Sequence, residues 1–311
     1  MLKHEAQAPP APAARPANRR QISDRTLSQL FIWPTLILLI IINIFPLFYS
    51  LFLSFTNYSA IANRPPEWIG FTNFDRLLNS SDIWGYFSLT GRYALISVGL
   101  QTVIGFGLAL LLRKKFRGSG IVTTLILIPM MLSPVVVGLF WKLMFNPAYG
   151  IFNYLVGFTN PVTAPDWLAS PSLALWAIII VDVWMWSPFV MLLCLSGLSA
   201  IPDYLYEAAA IDRASAWFQF RRITLPQVAP LLLIAVLFRT IEAFKAFDLV
   251  MGLTGGGPGN ATQMISVEIY SQAFLGQFRT GRASALAYIV LVIIIAVSNV
   301  YIRTLNKVRE G

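Results

Sequence analysis

The chain has 311 residues, of which 57% are hydrophobic, 14% aromatic and 12% charged, and its formal net charge is +9. An ordinary soluble domain is about 45–50% apolar and about 25% charged, so this sequence lacks the polar groups to cover a water-facing globule. Soluble enzymes, disordered scaffolds and disulfide-stapled secreted domains are excluded, which leaves an all-α, polytopic membrane protein. Cys194 is the only cysteine and His4 the only histidine. The chain therefore assembles neither an internal disulfide nor a His-based metal site or catalytic triad.

Residues 1–28 begin with a stretch rich in Ala and Pro and without a periodic apolar face, which predicts a disordered tail. Six apolar runs then reach the roughly 20 residues that a bilayer-spanning helix needs: 29–55, 93–112, 121–145, 172–200, 227–250 and 283–302. The first is longer than the ~7–15-residue apolar region of a signal peptide and is read as a retained, peripheral helix containing Pro34 and Pro46. Residues 56–92 form an external loop, 93–302 a core of five spans, and 303–311 a second tail.

Six spans put both termini on one side. Lys3, Arg15, Arg19, Arg20 and Arg25 precede the first span, and Arg113, Lys114, Lys115 and Arg117 follow the second. Arg213, Arg221 and Arg222 follow the fourth, and Arg303, Lys307 and Arg309 the last. The other side holds Arg64, Arg76, Arg279 and Arg282, with Arg92 at a span edge. The positive-inside rule makes both termini cytoplasmic. The basic excess is thus a topology signal, and no nucleic-acid partner is expected.

The fourth span carries Asp182 near its middle, ahead of Trp184, Met185, Trp186 and Phe189. The fifth carries Arg239, Glu242, Lys245 and Asp248 at every third position with alternating sign. Ionisable residues in a span are costly and default to functional candidates. Neighbours at i, i+3 also pair, so a self-neutralising ladder facing the bundle interior is the other reading. The Trp residues fit helix packing or an interfacial belt as well as a solute wall.

Between these spans, the cytoplasmic connection 201–226 divides into two short helices. Pro202 suits a first helical turn and Ser215 is a candidate N-cap for a second piece holding Trp217, Phe218 and Phe220. Thr224 and Pro226 mark the start of the next span. Leu205, Ala208 and Ala209 share one helical face. Exposed apolar and small residues of this kind mark an interaction surface, unless the loop packs on its own membrane helices.

The run Glu207-Ala208-Ala209-Ala210-Ile211-Asp212-Arg213-Ala214, followed by Ile223-Thr224-Leu225-Pro226, resembles the EAA loop of ABC importer permeases, with its Glu-Ala-Ala, Asp-Gly-Ala and Ile-x-Leu-Pro parts at fixed spacing. The stretch from Phe244 to Pro258, with Thr262 beyond, is similar to the Phe-Asp…Thr-x-Gly-Gly-Pro signature of the carbohydrate branch. The resemblance runs from about Trp68 to the C-terminus. It implies the type I permease fold in a bacterial inner membrane, as the transmembrane subunit of an ATP-driven importer for a carbohydrate or related polyol.

In that family the loop is a coupling helix seated in a cleft of the ATP-hydrolysing subunit. The resemblance implies coupling roles for Glu207, Ala208, Ala209, Asp212, Arg213 and Ala214, with Glu207 meeting a basic group of the ATPase. Ile223, Leu225 and Pro226 would set the exit into the fifth span. Arg213 stands where the family has Gly, which calls the tightness of that turn into question. The resemblance also places Trp184, Met185, Trp186, Phe189, Arg239, Glu242, Ala243 and Ala246 along the solute pathway, to which Asp182 is added as an ionisable residue within a span.

The implied partners are a second, homologous permease, two copies of a cytoplasmic ATPase, an external solute-binding protein and the bilayer. There is no G-x-x-x-x-G-K-[ST] run to cradle phosphates, so no cofactor is expected on this chain, and ATP and Mg belong to the partner ATPase. The chain is then a transport subunit and no enzyme. The rival reading is a secondary transporter coupled to ions through Asp182 and the fifth-span charges.

Overall fold

The computed structural model describes residues 23–310 except 63, 115, 158–159, 161–162 and 277. Residues 1–22 of the expected tail lie outside that range, and helix α1 (Asp24–Leu39) already starts within the segment read as tail. Contacts divide the chain into two units, Met1–Tyr49 and Ser50–Gly311. In the first, α1 passes through a widened turn, Ile40–Ile44, and runs on as α2 (Phe45–Ser54). Pro46 has no N–H to offer the carbonyl four residues back, and a single wide turn lets a helix pass a proline without stopping. The apolar stretch is continuous over Ser28–Ser54.

The second unit begins within α2, at Ser50, and continues through a short helix, α3 (Thr72–Leu78), to the long α4 (Ser81–Leu112). The latter starts at Ser81 rather than at residue 93. Asp82 and Arg92 lower the hydropathy of its first turns without interrupting the backbone ladder. The expected span 121–145 is broken. Helix α5 (Ser119–Leu127) with the tight turn Ile128–Met131, and α6 (Pro134–Met144), meet at a 98° bend. Pro134 disfavours the helical region for the residue before it, and Ser133 is accordingly extended, with ψ 133°. After α7 (Ile151–Leu155) comes α8 (Pro171–Ser199).

Although bent, the α5–α6 pair has to take the chain across. Arg113, just past the end of α4, lies 4.0 Å over the ring of Tyr206, in the connection that follows α8. Leu112 and Ile201 share one buried cluster at the same end. Helices α4 and α8 therefore run parallel, and the segment between them returns to the opposite side. With this pair, the five long apolar helices among the described residues become six spans.

Two short helices, α9 (Tyr204–Ile211) and α10 (Ala216–Gln219), follow. The second runs without a break through the wide turn Phe220–Thr224 into α11 (Leu225–Phe244). The fifth span thus occupies Ala216–Phe244 instead of 227–250, and Thr224 lies inside it rather than at its start. It ends early because Lys245 leaves helical geometry, and Asp248 opens a separate helix, α12 (Asp248–Leu253). Beyond α13 (Ile265–Phe274), the last helix α14 (Thr280–Glu310) covers most of the segment read as a C-terminal tail. In the loop between α12 and α13, Thr262 donates to the Gly257 carbonyl at 2.7 Å and meets the Thr254 hydroxyl at 2.8 Å.

The core lies between α4, α8, α11 and α12, where Tyr93, Ile178, Val181, Met185 and Val250 are buried together. Close approach depends on one glycine. A Cβ at Gly105 would lie 2.6 Å from both the Ser187 carbonyl oxygen and the Val190 Cβ, so α4 and α8 touch backbone to backbone. Membrane helices, which gain little from expelling water between them, pack through such small residues.

Candidate functional site

The connection between α8 and α11 is a two-sided element. Its inner side packs on the membrane helices: Ile201 is buried, Leu205, Tyr206 and Ile223 pack on the same apolar cluster, and the Tyr206 hydroxyl meets that of Thr224 at 2.9 Å. Arg113 covers the Tyr206 ring from α4. The outer side is open, with Ile211 82% and Trp217 67% exposed beside Tyr204 and Phe218. The loop thus packs on its own membrane helices along one face and leaves the other exposed.

The turn between α9 and α10 is closed by a Schellman motif. The Ala214 N–H reaches the Ala209 carbonyl at 2.9 Å and the Arg213 N–H the Ala210 carbonyl at 3.1 Å. That motif needs a left-handed residue, usually Gly, just past the helix end, and Arg213 takes it with φ 53°. The tight turn is thus made without the family glycine, at the steric cost of a Cβ in the left-handed region. Replacing Arg213 with Val is expected to lower stability by about 1–2 kcal/mol, while Arg213→Gly matches or exceeds the parent; thermal unfolding of the purified chain reads both.

Ser215 then caps α10 by accepting from the Phe218 N–H at 3.2 Å. Pro202, by contrast, lies ahead of α9, whose cap residue is Asp203. Ala208, Ala209, Asp212 and Ala214 line a concavity of about 510 Å³ with Leu205, Ser215 and Phe218. Glu207 is exposed in the first turn of α9, and Arg213 is also exposed. Ile223, Leu225 and Pro226 lie apart from this concavity, at the base of α11.

The second constellation is in the core. Asp182 on α8 and Arg239 on α11, each 3% exposed, form an ion pair at 3.3 Å. Gln101 on α4 bridges them: its Nε2 donates to Asp182 Oδ2 at 2.7 Å and its Oε1 accepts from Arg239 Nε at 2.8 Å. The Ser97 hydroxyl donates to the same carboxylate. The Arg239 guanidinium also stacks on the Trp186 ring, 4.5 Å from its centroid. Arg239 therefore pairs across helices and not along a ladder on its own helix. Glu242 bonds Lys245 at 2.6 Å in the open, and Asp248 stands on another element.

Asp182, Trp186, Arg239, Glu242 and Ala246 share one cleft of about 100 Å³, together with Lys245 and Asp248. The remaining pathway candidates point elsewhere. Met185 and Ala243 are packed into the core. Trp184 faces Trp141 at 5.5 Å between centroids and walls a groove of about 780 Å³ whose lining is almost wholly apolar. Phe189 meets only the edge of the Trp186 ring within this set. Sequence reasoning missed Ser97 and Gln101; a glutamine in the middle of an apolar run was the available signal. No cluster of ligating side chains suited to a metal occurs among the described residues.

Six apolar spans, a core of parallel and antiparallel helices and a protruding helix–turn–helix between the fourth and fifth spans define the type I permease fold of ABC importers. The chain belongs to the family of binding-protein-dependent transport system inner membrane components, which matches residues 101–308. It is 36% identical over 281 residues to the trehalose/maltose transport system permease protein MalF of Thermococcus litoralis, covering 90% of this chain and 94% of that one. It is 30% identical over 291 residues to the trehalose transport system permease protein SugA of Mycobacterium tuberculosis, covering 94% and 92%. Among solved structures, a chain of a bacterial ABC transporter that imports the acidic polysaccharide alginate superposes with a TM-score of 0.79 at 22% identity, covering 91% and 96%.

Proposed function

We propose that this chain is one of two permease subunits of an ATP-driven importer for a carbohydrate or related polyol, handed over by an external binding protein. The carrying observation is the outward face of α9 and α10. A protruding knuckle with a small-residue concavity, an exposed carboxylate at Glu207 and exposed Ile211 and Trp217 has the build of a docking element. We assign its partner as a cytoplasmic ATPase, two copies of which serve this chain and a second, similar permease. The ATPases hold ATP and Mg, and this chain holds no cofactor. In this reading both termini lie in the cytoplasm of a bacterial cell, a placement that the excess of basic residues beside the spans on that side supports.

The carbohydrate class rests on the named relatives and on the chemistry of the cleft. Sugars present hydroxyls to polar groups and C–H faces to rings, and a site for them combines both. Trp186 offers the ring, and Arg239 and Glu242 the hydrogen-bonding groups. Asp182 orients Arg239, and Gln101 and Ser97 orient Asp182. Closure of the ATPases on ATP would push on Glu207–Ala214 and rock the spans from inward-open to outward-open, and no covalent bond is made or broken by this chain. An ion-coupled mechanism finds little support, because the carboxylate best placed to carry a proton, Asp182, is held by three partners.

The test is uptake into proteoliposomes holding the assembled importer. Uptake of the cognate sugar should require ATP and the ATPase. Uptake that persists without the ATPase and collapses on adding an uncoupler would replace this reading with the ion-coupled one. In the same vesicles, Trp186→Ala is expected to cut transport about tenfold, the value of one ring–solute stack of roughly 1–2 kcal/mol, while assembly is retained. Equal loss of transport and assembly would return Trp186 to a packing role.

A further inference from the structure

At the end of the molecule opposite the coupling loop, Arg76 of α3 and Arg279 and Arg282 at the start of α14 line a single concavity of about 320 Å³. Its other wall is the segment from Thr56 to Ser59, directly after the first span. The walls are fixed in place. Asn73 donates to the carbonyls of Ser54 and Thr56 at 2.9 and 2.8 Å, and the Gly281 N–H reaches the Tyr58 carbonyl at 2.9 Å. No larger residue fits at 281, where a Cβ would lie 2.4 Å from the Thr56 carbonyl oxygen.

Among the described residues, none makes an ion pair with this trio: the ion pairs there are Arg239–Asp182 and Lys245–Glu242. Glu268, on the neighbouring α13, is already bonded to Gln263 at 3.0 Å and Gln272 at 2.7 Å. The Nε of Arg282 is buried without a hydrogen-bond partner. Three guanidinium groups around one hollow repel one another unless an anion lies between them. Their planar forks fit the paired oxygens of a phosphate or carboxylate.

The place of the pocket narrows the choice. The apolar run of the first span ends at Phe55, one residue before the wall begins, and that of the last span starts at Ala283, one residue after Arg282. Beside it, exposed Trp68 and Phe71 stack around Phe55, with centroids 5.3 and 5.2 Å away. Tryptophan and its aromatic neighbours gather at the membrane–water boundary. We propose that this pocket holds the phosphate oxyanion of an anionic lipid headgroup, which bridges the end of the first span and the start of the last.

The experiment uses the full-length chain in the assembly with which it purifies, delipidated in neutral detergent. Phosphatidylglycerol, phosphatidylcholine and inorganic phosphate are added separately, with retained lipid read by native mass spectrometry and Tm by thermal unfolding. Wild type should prefer phosphatidylglycerol to phosphatidylcholine and gain Tm from it. The exposed pair Arg76→Gln with Arg279→Gln should lose that preference by about thirtyfold, each arginine contributing roughly fivefold beside an anionic headgroup, and Arg282→Gln should lose the Tm gain. An unchanged preference in the double variant overturns the proposal. Full stabilisation by inorganic phosphate, with nothing added by the lipid, overturns the lipid source. Weakened docking of the external binding protein at unchanged lipid preference assigns the pocket to a protein carboxylate and overturns it as well.

Discussion

Truncating Asp182 to Ala is expected to destabilise the chain by on the order of 3–5 kcal/mol, the cost of leaving a buried partner charge uncompensated. Arg239 would keep the Gln101 hydrogen bond and the Trp186 ring but no counter-charge, in a site 3% exposed. Arg239→Ala should cost a similar amount, because the carboxylate of Asp182 would then face only Ser97 and Gln101. The paired variant Asp182→Leu with Arg239→Met removes both charges at similar volume, and its stability should lie nearer wild type than either single variant. Unfolding midpoints of the four proteins in detergent measure this. Two single losses that simply add in the double variant would show that the pair is not coupled. Transport separates structure from function in the same set: the repacked double variant should insert and assemble, yet lose uptake, if Arg239 also presents its guanidinium and the Trp186 ring to solute.

Why this network escaped sequence reasoning follows from what periodicity reports. Hydropathy locates the spans because desolvation dominates in a bilayer, and the first, fourth and last runs fall where the apolar residues put them. The loop was legible for a different reason. The Ser215 cap acts over three residues, and a local signal of that range is written directly in sequence, whereas the Schellman turn was hidden because Arg213 takes the left-handed conformation that a glycine would have announced. The partner of Arg239 is not local. It lies on α8, bridged by a side chain from α4, so spacing along the fifth span suggested Glu242 and Lys245 where packing chose Asp182 and Gln101. The ends of α4 and α11 were missed on similar grounds. Polar residues such as Asp82 and Arg92 continue a helix that hydropathy cuts short, whereas the apolar residues of α12 extend a run after the helix has already turned at Lys245. The break at Ser133 was readable from Pro134, but a 98° bend between two apolar halves leaves no mark in composition.

Reversing the charge at Glu207 is expected to abolish uptake while membrane insertion and the helical content of the chain stay unchanged. Glu207 is exposed on the first turn of an eight-residue helix whose inner face is pinned by Tyr206, Thr224 and Arg113. The substitution therefore removes no packing and no intramolecular bond. A Lys at the amino end of α9 opposes the helix dipole by about 0.3–1 kcal/mol, too little to unfold a loop held by Leu205 and Ile223 against the membrane helices. Against the basic group of the ATPase that the proposed docking sets opposite Glu207, by contrast, the reversal exchanges an attraction for a repulsion, and a juxtaposed like-charge pair costs several kcal/mol. That is enough to lower occupancy of the docked state by two or more orders of magnitude. Glu207→Gln should fall between, losing the attraction without adding a repulsion. Three readouts decide it: sugar uptake, co-purification of the ATPase, and ATP hydrolysis by whatever complex remains. Loss of uptake with the ATPase still bound, followed by rescue through an acidic substitution of its facing basic residue, places the defect in the contact itself. Uptake by Glu207→Lys at the wild-type rate would remove the coupling assignment from α9 and leave its exposed knuckle without a role in transport.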